Sequence, residues 1–213
     1  MPQVSIDFGL GGLSFAVAAW WLPESEGVSV DLASYRFPER TLGELPDFRV
    51  REHVAVDQAL HVLGTDAPVI HSPDGAPHFQ DDTRSLSISH SRHPSDGIVA
   101  VVMIAPTRCG IDVEFPRNTL SRIAPRIFAP SELSAIGDSV DLACPVWCLK
   151  EAAWKAFGPE LDFRENIVQL SPPALPGLIT AQILGTPQQF LVGRLNPVPG
   201  GVTWWVVAGA QTT

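Results

Sequence analysis

Residues 98–105 read Ile-Val-Ala-Val-Val-Met-Ile-Ala, a continuous apolar run rich in β-branched side chains. Asp96-Gly97 and Pro106 bound the run, which predicts a buried strand. The next segment, 109–114, alternates instead. Ile111 and Val113 fall on one side, Asp112 and Glu114 on the other, as a strand with one polar face requires. Val146, Leu149, Ala153 and Phe157 recur at helical spacing, predicting a helix over 146–157. Pro145 suits its first turn and Gly158-Pro159 its stop. The same patterning predicts strands over 14–22 and 85–89, and helices over about 50–63, 120–127 and 131–136. Residues 24–45 read as irregular or helical and 64–83 as loop. Strand-like runs follow at 167–170, 178–184, 189–195 and 202–208. Helices mixed with mostly antiparallel strands give an α+β fold. Trp20, Trp21, Trp204 and Trp205 read as packing residues.

The polar positions matter most where they coincide. Asp112 and Glu114 share a strand face, roughly 6–7 Å apart along the chain. Glu151 and Lys155 are i,i+4 on the last predicted helix, with Lys150 one step round. Three carboxylates and two lysines on two elements can gather around a hard divalent cation and a phosphate ester. Ser87-Ile88-Ser89-His90-Ser91 adds hydroxyls and an imidazole, after the Pro/Gly-rich stretch His71–Pro77. Taken singly, each motif also reads as an exposed acidic strand, a helical ion pair or a turn with a surface histidine.

Together the motifs resemble the 4′-phosphopantetheinyl transferase superfamily, in its two-lobed, surfactin-synthetase-activating form. The resemblance rests on Gly75-Ala76-Pro77, Ser89-His90-Ser91, Gly110-Ile111-Asp112-Val113-Glu114 and Trp147-x-x-Lys150-Glu151-Ala152-x-x-Lys155. Phe128-x-x-x-Glu132 and the helix around Arg49-x-Arg51-Glu52 add to it. It implies two similar lobes, residues 1–105 and 106–213, with the active site in the cleft between them. It implies transfer of the phosphopantetheine arm of coenzyme A to a serine of an apo acyl or peptidyl carrier protein, releasing 3′,5′-ADP. By position, Asp112, Glu114 and Glu151 would hold Mg2+. Glu151, Lys155 and Asp112 would be catalytic. Arg51, Gly75, Pro77, Ser89, His90, Lys150 and Lys155 would contact coenzyme A. Two positions depart from the pattern: Ala76 where a basic residue is usual, and Asp57 where many relatives carry arginine. Those departures keep open a non-catalytic carrier-protein or coenzyme A-binding module of the same fold. A metal-dependent phosphohydrolase is a more distant alternative.

Composition narrows the classes. The chain has 213 residues, 45% of them hydrophobic, enough to bury a core. Its net charge of −9 argues against general nucleic-acid binding. An acidic carrier protein would then need a local basic patch, for which Arg117, Arg122 and Arg126 are candidates. Cys109, Cys144 and Cys148 offer neither a disulfide framework nor a Cys-x-x-Cys pair, consistent with a reduced, cytoplasmic setting. The apolar stretch 8–22 has no basic residue before it and is too short to span a membrane. A cytoplasmic monomer that avoids membranes is the expectation.

Overall fold

The computed structural model describes residues 4–10, 13–31, 34–39, 41–93, 97–170, 177–198 and 201–209. Within them the chain is mixed α and β, built on antiparallel sheets. The first sheet joins β1 (Val4–Leu10), β2 (Leu13–Pro23), β6 (Gly97–Ala105) and β5 (Ser85–His93), in the order β1-β2-β6-β5. Helix α1 (Asp47–Val62) covers one face of it, and β3 (Val69–His71) pairs with β4 (Pro77–Phe79) beside it. The second sheet runs β7-β11-β10-β9-β8: β7 (Cys109–Glu114), β8 (Ile167–Gln169), β9 (Gly177–Ile183), β10 (Thr186–Val198) and β11 (Gly201–Gly209). Helices α2 (Thr119–Ile127), α3 (Pro130–Ile136) and α4 (Val140–Phe157) pack with it.

The period of two in β6 explains how the two sheets share a core. All nine of its residues are buried. Ile98, Ala100, Val102 and Ile104 point to Val54, Ala55, Ala59 and Leu60 of α1. Val99, Val101, Met103 and Ala105 point the other way, into a cluster with Cys109, Ile111 and Val113 of β7. Fully burying a side chain such as Met103 or Ile111 contributes about 1.5–3 kcal/mol. That apolar contact is the main force pressing the sheets together.

Polar groups set their register. β5 and β7 are the facing edges of different sheets, and no ladder joins them. Serine hydroxyls replace it. The Ile111 amide donates to Ser87 Oγ at 3.0 Å and the Val113 amide to Ser89 Oγ at 3.3 Å. On its other side β7 lies against α4. A methyl group on Gly110 would sit 2.0 Å from the Ala152 carbonyl oxygen, so only glycine admits the helix this closely.

Several expectations are corrected. Helix α4 starts at Val140, not 146, because Ser139 caps it by accepting the Leu142 amide at 3.3 Å. Pro145 therefore lies inside the second turn. The loop expected over 64–83 contains β3 and β4, and β1 precedes the strand expected first. The Ser-His-Ser run is strand rather than turn. Trp21 is buried against Phe115; side-chain packing of Trp204 and Trp205 lies outside the described residues. No helix among the described residues is long and apolar enough to cross a membrane.

Candidate active site

β7 places Asp112 and Glu114 on one face, and both are buried. The serines of β5 meet them with the same two-residue period. Ser89 Oγ donates to Asp112 Oδ1 at 2.7 Å, and Ser91 Oγ donates to Glu114 Oε1. From α4, Lys155 Nζ donates to Asp112 Oδ1 at 2.8 Å and to the Ile111 carbonyl at 3.0 Å. Glu151 lies one helical turn before Lys155. Its carboxyl is pushed up to about 7, first by burial and then by the negative Asp112, with Lys155 opposing. Asp112, Glu151 and Lys155 thus share one electrostatic environment.

Glu114 is held differently. Its Oε1 also accepts the Phe115 amide at 2.9 Å, and its Oε2 accepts Arg117 Nη2. Among the described residues no three His, Cys, Asp or Glu side chains converge closely enough to hold a metal ion. The expected set of Asp112, Glu114 and Glu151 is therefore not assembled in this conformation. The donor chemistry nevertheless fits magnesium. The two carboxylates that sense each other, Asp112 and Glu151, are hard oxygen donors, and Mg2+ commonly takes one or two of these plus substrate phosphates. Thiols are poor competitors here. Burial pushes Cys109 up to about 12 and Cys148 well above its usual range.

Three residues expected to contact coenzyme A are engaged in bonds within the protein. Lys150 is fully buried. It pairs with Glu132 Oε2 at 2.8 Å and donates to the carbonyls of Phe163, at 2.6 Å, and Ile167. It lies on the apolar stripe of α4, one turn from Val146, and braces the core. Arg51 is buried too, donating to the carbonyls of Glu26, at 2.9 Å, and Pro23. It ties α1 to the end of β2. Ser89 commits its hydroxyl to Asp112 and Val113, and so anchors the acid. Asp57 is structural as well, accepting both the amide and the guanidinium of Arg36, at 3.1 and 3.2 Å.

Gly75, Pro77 and His90 do face a cavity. It measures about 290 Å³ and is also lined by Arg49, His53 and His71. His90 lies 3.6 Å from Glu52, and burial lowers its pKa against the pull of that carboxylate. A second cavity of about 370 Å³ lies across the Gly75–Pro77 turn, between Leu86, Trp154 and Lys155. Ala76 lines this second cavity. Gly75 has φ +87°, which suits glycine in that turn. Arg49 is one of the arginines, with Arg36, Arg40 and Arg51, that the sequence offers in place of the basic residue missing at position 57; His53 and His71 were not singled out as cavity residues. The available signal was the helix face shared by Arg49, Glu52, His53 and Val56.

The raised Glu151 gives a pH prediction. Its folded pKa, about 7, exceeds the ordinary 4.5. The folded protein therefore binds the proton more tightly than the unfolded chain. The stabilisation is complete below pH 4.5 and is lost as pH rises through 7. Metal-free protein should lose on the order of 1 kcal/mol between about pH 5 and 7.5, after discounting for partial exposure. Urea unfolding at several pH values measures this, and the trend should flatten in Glu151→Gln.

Residues 108–190 match the family model of the 4′-phosphopantetheinyl transferase superfamily. The match covers β7, α2, α3, α4 and the strands that follow as far as Phe190, and so includes Asp112, Glu151 and Lys155. It supports that superfamily and a phosphopantetheinyl transferase role in general. No curated protein matches the chain.

Proposed function

We propose that this chain, through the superfamily that its second half matches, transfers 4′-phosphopantetheine from coenzyme A to a serine hydroxyl of an apo acyl or peptidyl carrier protein. The observation that carries the proposal is the meeting of Asp112, Glu151 and Lys155 where β7 crosses α4. The reading includes the two-lobed form, residues 1–105 and 106–213, with the site in the cleft between them and the protein a cytoplasmic monomer. Its support is that the strands of one sheet end at Ala105 and those of the other begin at Cys109.

Asp112 and Glu151 would hold Mg2+, with Glu114 completing the set. When bound, the ion would neutralise phosphate oxygens and polarise the phosphorus toward attack. The rest falls to the protein. The serine oxygen forms a bond to the phosphorus that bears pantetheine, the bond to the bridging oxygen breaks, and 3′,5′-ADP departs. Glu151 takes the serine proton. Lys155 stays anchored on the Ile111 carbonyl and meets charge growing on the bridging oxygen. The cavity beside His90, Gly75 and Pro77 receives the nucleotide end.

Mass spectrometry of an apo carrier protein incubated with this chain, coenzyme A and Mg2+ should show a gain of about 340 Da, one phosphopantetheine, lost when the metal is chelated. Ala76, and the diversion of Arg51 and Lys150 to structural bonds, favour a second reading, a non-catalytic module. Coenzyme A binding with no mass gain on any of several carriers would establish that one instead.

A further inference from the structure

We propose that Arg117 is a displaceable counter-ion for Glu114, holding that carboxylate until a divalent cation takes its place. The inference rests on the reading of Asp112, Glu114 and Glu151 as a cation site. The Glu114 side chain is only 6% exposed. A charged carboxylate at that depth needs a partner, or its desolvation is uncompensated. Ser91 and the Phe115 amide supply hydrogen bonds to Oε1. The countercharge comes from Arg117 on Oε2.

The countercharges of the two strand acids are built differently. Lys155 serves Asp112 from the long helix α4 and is fastened a second time to the Ile111 carbonyl. Its release would break both of those bonds at once. Arg117 lies in the short link between β7 and α2, and its side chain is 52% exposed. It can swing into water with its own charge fully solvated, so release costs little on its side. A divalent ion arriving at Glu114 would repel the guanidinium and replace its charge at once. This exchange also accounts for the three acids not converging while Arg117 is in place. Ser91 stays on the opposite oxygen throughout and keeps the carboxylate aimed.

Titration calorimetry with MgCl2 on the full-length chain tests the exchange. Arg117→Ala should bind Mg2+ roughly fivefold more tightly than the parent, within the usual range of coupling between two sites. Arg117→Gln, which keeps a donor without the charge, should show most of that gain. In a Glu114→Gln background the Arg117 substitution should change nothing. Binding to the arginine variant alone, with none to the parent, would support the exchange in its strongest form. Unchanged or weaker binding by Arg117→Ala, or a gain that persists without Glu114, would overturn it while leaving the cation site standing. No binding by either protein would overturn both the exchange and the metal reading beneath it.

Discussion

Glu151→Gln is expected to slow carrier-protein modification by about a thousandfold or more, equivalent to about 4 kcal/mol in the barrier. The same substitution should leave the metal-free protein at least as stable at neutral pH. Both effects follow from one placement. Glu151 is held where burial raises its pKa and the negative Asp112 raises it further. Ionised, it costs the apo protein some repulsion; glutamine removes that cost together with the proton acceptor and a cation ligand. A group that contributes to catalysis while opposing stability is the signature sought. Single-turnover rates and urea midpoints at pH 7.5 check it together. Turnover near the parent's would remove Glu151 from the chemistry.

Glu132→Gln should have the opposite profile. The carboxylate of Glu132 accepts the Ala129 amide at 2.7 Å and the Gln169 amide at 2.8 Å. It also neutralises Lys150, which is fully buried and lies near the Phe128 ring. Removing the charge strands an ammonium in the core. Breaking one side of such a pair typically costs about 3–5 kcal/mol, a large share of a domain's net stability. The folded fraction should retain its transfer rate, because Lys150 bonds to Glu132 and to the Phe163 and Ile167 carbonyls rather than to Asp112. Adding Lys150→Met should restore much of the loss, since an apolar side chain of similar length no longer needs the partner. A change below about 1 kcal/mol in Glu132→Gln would mean that Lys150 is not sealed in as the structure has it.

These two residues mark how far the sequence could be read. The alternation in 109–114 and the apolar run before it gave the strands, and their periods gave the right faces. Neighbours on a helix differ by about 100°, and Lys150 and Glu151 are both charged, so charge alone did not say which faced inward. Spacing did hold the answer. Lys150 is four residues after Val146 and three before Ala153, on the apolar stripe, and Glu132 in the Phe-x-x-x-Glu segment was its missing partner. Arg51 repeats the lesson: Val54 and Ala55 share its face and are buried, whereas Arg49 shares the cavity face with Glu52 and His53. The β3–β4 pair escaped because three residues carry no measurable period. Serines at every second position of β5 could not be interpreted from the sequence, because the strand they serve belongs to another sheet.

That hydroxyl seam bears on any attempt to divide the chain. If the part from Cys109 onward were made alone, the outer rim of β7 would keep its row of amide donors but lose the groups that cap them. An open, apolar-flanked rim of this kind is a template for strands from other molecules. The separated half would be prone to cross-molecular pairing and to insoluble deposits. Supplying the first half in trans would close the rim again and restore the scaffold on which Asp112 is held.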